Sequence, residues 1–245
     1  MPIDISTLID LGRKYVEQLP ELAVPQRRTS LASYLDNALH DPAATPYQVN
    51  AFCDQAAQDQ IATVFINPVF VSTAKSRLEK SKVHVGTVAG FPLGAFPTET
   101  KLHEARTALD SGADEIDMVI QVGLLKAGEF SFIFEEIQKM SDLVHSYQGL
   151  IKVILEVCLL DKYEIIMGSL ISKSAGADFV KTSTGFSAGG ATIEDIDLMR
   201  RVVGTDMGVK AAGGIHTLEE ALSMIGAGAD RIGTRLAHDI LAEDR

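Results

Sequence analysis

The sequence predicts an α/β fold, a single (β/α)8 TIM barrel with an additional N-terminal helix. Short apolar runs rich in Val and Ile alternate with amphipathic segments along the 245 residues, and eight such repeats match the eight βα units of a barrel. No stretch rich in Pro, Gly or Ser divides the chain. We therefore expect one domain over 1–245, with 1–30 as a helical extension. An open doubly wound sheet is the alternative, but no G-x-G-x-x-G follows the first strand.

Eight runs are the predicted strands, because each is short, apolar and enriched in β-branched residues. They are Ser33–Leu39, Ile61–Ile66, Val83–Phe91, Glu115–Gln121, Ile151–Val157, Asp178–Thr184, Gly208–Gly214 and Arg231–Thr234.

The segments between the strands carry helix-start signals. Thr45–Gln48 reads as an N-cap, a proline at the first helical position and a glutamine that can close a capping box. Asp161–Glu164 and Thr217–Glu220 repeat this logic, and Ile193–Met199 has apolar residues at helical spacing. We therefore expect a helix in each of these four segments, after the strand that precedes it.

Composition excludes several classes of function. A net charge of −11 disfavours nucleic acid and anionic membranes, and no apolar run approaches the roughly 18 residues of a membrane span. The six histidines show no metal-ligand spacing, so we expect neither a metal nor another cofactor. Cys53 and Cys158 form no C-x-x-C pair, so we expect reduced, packed thiols in a cytoplasmic protein.

Charged residues in the apolar strands are the first candidates for chemistry. Strand alternation points Asp117, Lys152, Lys181 and Lys210 at one interior. Crowding and desolvation of ammonium groups lower a lysine pKa, which prepares an amine for Schiff-base formation. A lone strand lysine is more often ion-paired or snorkelling. That reading suits Lys152, with Glu156 or Asp117 as its partner.

Glycines follow the sixth, seventh and eighth strands, at Gly185, Gly213, Gly214 and Gly233. Backbone N–H groups there can surround an anion, and barrels often bind phosphate after strands seven and eight. Tight βα turns are the alternative role. Arg235 either adds a positive charge to this site or is a solvated residue that opens the last helix.

Four further residues lie at strand ends or within the first strand. Asp36 is either a site carboxylate or an acceptor of backbone hydrogen bonds, and Asn67 either caps the next helix or lines the pocket. We include Thr184, at the end of the sixth strand, in the predicted substrate site. His40, which follows the first strand, either faces the mouth of the site or has a surface or packing role, and we favour a surface or packing role.

Four motifs resemble the deoxyribose-phosphate aldolase family. They are GFPLG at 90–94, GADEIDMV at 112–119, GADFVKTSTGF at 176–186 and VKAAGGI at 209–215. The resemblance extends from about residue 33 to residue 234, and its ordered motifs are specific.

The resemblance implies a metal-free class I aldolase, a lyase that reversibly cleaves 2-deoxy-D-ribose 5-phosphate to D-glyceraldehyde 3-phosphate and acetaldehyde. By motif, Lys181 would form the Schiff base, Lys210 would depress its pKa, and Asp117 would move protons with a water. The phosphate would bind backbone N–H groups of the glycines after the last three strands. Small phosphorylated sugars and aldehydes would be the partners, in nucleoside catabolism, and a homodimer is possible because barrels often dimerise.

Two segments depart from the family pattern. The first strand usually reads D-H-T-L-L-K, whereas 36–40 read D-N-A-L-H, so a threonine hydroxyl and a lysine are missing although Asp36 is kept. After the eighth strand, G-T-R-L replaces G-T-S-S, which exchanges two hydroxyls for the guanidinium of Arg235. That guanidinium either binds phosphate or obstructs the pocket. Two alternatives follow: a Schiff-base barrel aldolase with another carbonyl or phosphate substrate, and a non-catalytic sugar-phosphate-binding barrel.

Overall fold

Eight parallel strands pair in chain order and close into a barrel, which confirms the predicted fold class. The structure, a computed structural model, describes residues 4–22 and 30–244. The strands are β1 Leu35–Leu39, β2 Thr63–Ile66, β3 His84–Ala89, β4 Glu115–Val119, β5 Leu150–Ile154, β6 Phe179–Lys181, β7 Gly208–Ala212 and β8 Arg231–Thr234.

Helices surround the barrel, and at least one follows every strand. They are α1 Ile5–Glu17, α2 Pro46–Asp59, α3 Val71–Arg77, α4 Thr98–Asp110, α5 Val122–Lys126, α6 Phe130–Ser146, α7 Lys162–Ser174, α8 Ile193–Val203, α9 Leu218–Ala227 and α10 Ala237–Glu243. The first of them, α1, is the predicted N-terminal helix and packs against α7. The rest of the predicted extension, 1–3 and 23–29, lies outside the described residues.

The predicted helix starts are confirmed. Capping boxes form at Thr45–Gln48, Asp161–Glu164 and Thr217–Glu220, where each N-cap side chain accepts from the N3 backbone N–H. Thr192 caps α8 in the same way, through the N–H of Asp195. Each such cap contributes about 1 kcal/mol to helix stability, so the local sequence sets where four of the outer helices begin.

Several predicted strands are too long at their carboxyl ends. The strands β3 to β7 end two or three residues earlier than expected, because the chain turns there into the loops around the barrel mouth. Gly213 and Gly214 follow β7 with φ of 90° and 77°, and Glu156 follows β5 with φ of 49°. These left-handed conformations cannot continue a β ladder. At the other end, the start predicted for β1 belongs to a 3-10 helix, Leu31–Tyr34.

Two missing side chains make room inside the barrel. A Cβ on Gly86 would lie 2.5 Å from the ring of Phe65, and a Cβ on Gly208 would lie 2.2 Å from the ring of Phe179. Glycine in a strand often marks such close approach. Here it lets two aromatic rings fill the interior beside charged side chains.

The apolar core lies between the outward faces of the strands and the surrounding helices. Cys53 is buried there as expected, but Cys158 is exposed, so the prediction of a packed thiol is wrong for that residue. Within residues 4–22 and 30–244, no helix combines the length and the apolar character needed to cross a membrane.

Candidate active site

Two lysines and one aspartate meet inside the barrel. The register pairs Lys181 of β6 with Lys210 of β7, so their side chains lie next to each other. Both Nζ atoms donate to Oδ2 of Asp117 on β4, at 2.8 Å from Lys181 and 2.9 Å from Lys210. The structure therefore brings together the three residues predicted to be catalytic, all of them buried.

A second carboxylate supports Lys210 from the other side. Its Nζ lies 2.8 Å from Oδ2 of Asp36 as an ion pair, while its hydrogen bond goes to Asp117. Asp36 Oδ1 in turn accepts from Nη1 of Arg231, at 2.6 Å. Asp36 is thus a site carboxylate, and Arg231, which the sequence reading overlooked, is its partner.

Lys152 lies deeper in the barrel and is fully buried. It donates to Glu115, and its Nζ is 3.5 Å from Oδ1 of Asp117. Of the two partners predicted for Lys152, Asp117 is therefore present. The side chain of Glu156 instead accepts hydrogen bonds from Thr184, because the turn after β5 removes it from the barrel interior.

These contacts form one ionic cluster. Among the described residues it joins three carboxylates to four cations: Asp36, Glu115 and Asp117, with Lys152, Lys181, Lys210 and Arg231. With every group charged, the cluster would hold one surplus positive charge in a low-dielectric interior, which is unfavourable. Loss of one proton from one amine balances it.

The ammonium group of Lys181 loses its proton more easily than that of an ordinary lysine. Burial lowers its pKa, Asp117 opposes that effect, and the charge of Lys210 lowers the pKa further, to about 8. Burial also raises the pKa of Asp117, but the ammonium groups of Lys181 and Lys210 outweigh it and hold that pKa well below its usual range. Burial alone would lower the pKa of Lys152, but Glu115 and Asp117 raise it above its ordinary value. Lys152 stays charged, whereas Lys181 titrates near neutral pH.

An aromatic ring lies among the three lysines. The ring centroid of Phe65 is 3.6 Å from Nζ of Lys210, 4.6 Å from that of Lys152 and 5.9 Å from that of Lys181. A ring face attracts a cation most strongly when both are desolvated. Sequence reasoning missed this role, although alternation along β2 puts Phe65 on the same face as Thr63, which donates to Glu115.

A cavity of about 300 Å³ opens above the lysines at the carboxyl ends of the strands. Besides Lys181 and Lys210, it is lined by seven predicted site residues: Asp36, Thr184, Gly185, Gly213, Gly214, Gly233 and Arg235. Two other predicted site residues are not among the described residues that line the cavity. They are Lys152, which lies beneath the cavity, and Asn67. Asn67 begins a 3-10 helix without a side-chain cap bond, and its Nδ2 donates to the carbonyl of Asp41 at 2.9 Å.

The loop after β6 is held in place by Glu156. Its Oε1 accepts from the N–H of Thr184 at 3.3 Å, and its Oε2 accepts from the Thr184 hydroxyl. Oγ1 of Thr184 accepts in turn from the N–H of Phe186, at 3.1 Å. These bonds fix the short segment that carries Gly185 into the cavity wall.

Comparison with known proteins places this chain in a family. The model of the DeoC/LacD family of aldolases matches residues 32–240. The chain belongs to this family. Deoxyribose-phosphate aldolase from Thermococcus gammatolerans is 51% identical over 206 residues, which are 83% of this chain and 92% of the relative. The resemblance inferred from the four motifs is therefore confirmed, and the chain is an aldolase, a lyase.

Solved structures agree with this assignment. A protein from Coccidioides immitis superposes with a TM-score of 0.90 at 34% identity, over 99% of this chain and 98% of the other. The deoxyribose phosphate aldolase from Aeropyrum pernix, whose structure is tetrameric, gives a TM-score of 0.81 at 32% identity, with the same shares covered.

Aromatic and cationic side chains form the mouth of the aldolase cavity. The ring of His40 lies 5.1 Å from that of Phe91, and Phe91 meets Phe186 edge-on at 5.3 Å. The guanidinium carbon of Arg235 lies 5.6 Å from the Phe186 ring centroid. His40 is 8% exposed and lines the cavity. The surface role considered for His40 is therefore wrong, whereas packing and a position at the mouth of the site are both confirmed.

Proposed function

We propose that this chain is a Schiff-base aldolase that reversibly cleaves 2-deoxy-D-ribose 5-phosphate into D-glyceraldehyde 3-phosphate and acetaldehyde. The observation that carries the proposal is the pair of lysines on one Asp117 oxygen, directly below the cavity. With a pKa of about 8, about a tenth of the Lys181 side chains are uncharged at pH 7. An ordinary lysine, with a pKa near 10.4, offers less than about 0.1%.

The chemistry begins at that free amine. The Nζ of Lys181 adds to the C1 aldehyde of the open-chain sugar, and loss of water from the carbinolamine gives an iminium ion. The C3 hydroxyl then loses its proton and the C2–C3 bond breaks. C3 becomes the aldehyde carbon of glyceraldehyde 3-phosphate, and the released electron pair forms the C1=C2 enamine. Protonation of C2 and hydrolysis release acetaldehyde and restore the amine.

Asp117 and Lys210 support these steps in different ways. Asp117 stays ionised because its pKa is held well below the usual range. It stabilises the cationic iminium beside it and, with a water, accepts and returns protons. Lys210 lowers the pKa of the Lys181 amine by repulsion and so raises the share of free amine. Its contacts with Asp36 and Asp117 hold it at the position where that repulsion acts.

The phosphate binds beside the loops that follow β6 and β7. Gly185, Gly213 and Gly214 of these loops line the cavity together with Arg235. Gly233 also lines it but is paired within β8 beside Lys210, so the prediction that it follows the strand is wrong. Backbone N–H groups and a guanidinium are suitable donors for a phosphate dianion. The name of the Thermococcus relative supports this substrate. A role in nucleoside catabolism in the cytoplasm, in a chain that forms homodimers, is part of the same proposal.

Borohydride trapping tests the covalent step. Incubation with acetaldehyde and sodium borohydride should leave an N-ethyl group on one peptide, at Lys181. Lys181→Arg keeps the positive charge and should give no adduct and at least 1,000-fold lower turnover, roughly the effect of losing a covalent and general acid–base step. Lys139→Arg, on the exposed face of α6, is the matched control and should trap like the wild type. An adduct elsewhere, or none, contradicts the proposal, and none favours a non-catalytic sugar-phosphate binder.

One observation favours a second candidate, a Schiff-base aldolase with another substrate. Ala38 lines the cavity at the point where the family pattern has a threonine, and Arg235 replaces a serine. The lysine pair is unaffected by both changes, whereas the polar contacts available to a substrate differ. A panel of aldehyde donors and of phosphorylated and unphosphorylated acceptors separates the two candidates, because 2-deoxy-D-ribose 5-phosphate should have the highest kcat/KM only under the first.

A further inference from the structure

His40 is a polar side chain in the cavity wall, and its ring nitrogens have no hydrogen-bond partner in the part of the chain that the structure describes. It follows β1 and lines the cavity that contains Lys181 and Lys210, while packing against Phe91 fixes one side of its ring. Its Nδ1 atom is buried and makes no hydrogen bond. Within residues 4–22 and 30–244, neither ring nitrogen has a hydrogen bond.

The tautomer follows from that burial. Burial lowers the pKa of His40 to about 3, an effect that Lys181, Lys210 and Arg235 strengthen, so the imidazole is uncharged and carries one N–H. A buried N–H without an acceptor is rarer and less favourable than an unused acceptor. The hydrogen therefore belongs on Nε2, and Nδ1 is the unused acceptor. Since Nδ1 is covered, the distal edge of the ring, with Nε2–H, is the part that meets the cavity.

Building on the function proposed above, we propose that Nε2–H of His40 donates a hydrogen bond to the hydroxyl group next to the carbonyl of the acceptor aldehyde, and so selects α-hydroxyaldehydes. An extended substrate runs from Lys181 to the glycine and Arg235 end of the cavity. The C3 oxygen reacts and the phosphate has charged and backbone donors. The hydroxyl on C4, which becomes the α-hydroxyl of glyceraldehyde 3-phosphate, is the remaining polar group between the two ends.

The phosphate already has better donors than His40. An uncharged donor adds little to the binding of a dianion that already has the guanidinium of Arg235 and the backbone N–H groups of the loops after β6 and β7. Packing alone does not call for an imidazole here. The family pattern quoted above has leucine at this place in the first strand, and leucine fills space without any donor.

A comparison of two acceptors tests the inference. With acetaldehyde as donor, kcat/KM is measured for D-glyceraldehyde 3-phosphate and for 3-phosphooxypropanal, which lacks only the hydroxyl. The wild type should prefer the hydroxylated acceptor by about tenfold or more, the effect of one neutral hydrogen bond. His40→Leu should reduce that preference to about one and leave the deoxy acceptor within about threefold of the wild-type value. His40→Gln, which keeps a donor, should restore part of the preference.

A purely structural role would give a different pattern. Equal losses for both acceptors in His40→Leu, or an unchanged preference, would overturn the inference. It would also be overturned if the mutation changed only the preference for phosphorylated over unphosphorylated acceptors. A wild type that traps acetaldehyde but does not discriminate between the acceptors overturns the His40 inference alone. A wild type that traps nothing overturns the proposed function and this inference together.

Discussion

Replacement of Lys210 by methionine removes a positive charge that lowers the pKa of the reactive amine. Lys181 and Lys210 both lie within 2.9 Å of the same Asp117 oxygen, so their nitrogen atoms are at most about 6 Å apart. In the wild type, Asp117 attracts the ammonium groups of both lysines. In the variant it attracts that of Lys181 alone, and the repulsion from Lys210 is gone. Both changes favour the charged form of Lys181. Since the folded-state pKa of Lys181 is already lowered, to about 8, losing a cause of that lowering must raise it.

The magnitude follows from Coulomb's law. Two unit charges about 5 Å apart repel by roughly 3 kcal/mol at an effective dielectric constant of about 20. That energy corresponds to about two pKa units. We therefore expect a Lys181 pKa of roughly 9 to 10 in Lys210→Met. The share of free amine at pH 7 should fall by about 10- to 100-fold, since it drops tenfold for each unit by which the pKa rises.

The assay is the rate of adduct formation with acetaldehyde and borohydride across pH 6 to 10.5. The wild-type rate should rise with an inflection near pH 8, and Lys210→Met should shift the inflection upward by one to two units. The two rates should converge at high pH, where both amines are uncharged. Lys210→Arg keeps the charge and should keep the inflection near its wild-type position. An inflection that stays at pH 8 or moves down in Lys210→Met would refute the reasoning. A deficit that persists at high pH would show damage to the site instead.

Four further substitutions test other parts of the structure. Arg235→Ala should lower kcat/KM for 2-deoxy-D-ribose 5-phosphate by about 10- to 100-fold, the effect of losing charge-assisted hydrogen bonds. In the same steady-state assay, kcat/KM for unphosphorylated 2-deoxy-D-ribose should stay within about threefold of the wild-type value. Gly86→Val places a Cβ 2.5 Å from a buried aromatic ring and should cost about 1–3 kcal/mol or more in urea unfolding. Gly226→Ala, with nothing within 4 Å of the new Cβ, should stabilise α9 by about 0.5–1 kcal/mol. Glu136→Leu removes the carboxylate that pairs with the buried ammonium of Lys101 and leaves its hydrogen bond to the carbonyl of Val119. It should destabilise the fold by about 3–5 kcal/mol, and a loss below about 1 kcal/mol would contradict that account.

The barrel and its lysines could be predicted because their signals are local and periodic. Each strand is a short run rich in β-branched residues, and each helix cap is a short polar pattern. The alternation of side chains along a strand is enough to point Asp117, Lys181 and Lys210 into the barrel. The parity argument fails after Ile154, where Glu156 adopts a left-handed conformation. Nothing in the residue type announces that turn, because glutamate rarely adopts a positive φ.

Other features depend on contacts between distant segments. Glu115 and Arg231 lie 116 positions apart in the chain, and only closure of the barrel brings them within 3.6 Å. The predicted partner Glu156 was closer in sequence to Lys152 than Glu115 is, but pairing across strands decided the contact. His40 shows the same limit. Its burial depends on Phe91 from another strand end, and a single histidine after a strand gives no sign of that neighbour.

The ionic cluster inside the barrel also has a consequence for folding. A barrel lined only with leucine and valine tolerates a strand that slips along its neighbour, because one apolar contact replaces another. Here a slip of β4, β5, β6 or β7 separates paired charges that are buried away from water. We therefore expect misassembled barrels to be much less stable than the native one. The charged side chains of the active site would thus also favour the native register of the strands that carry them.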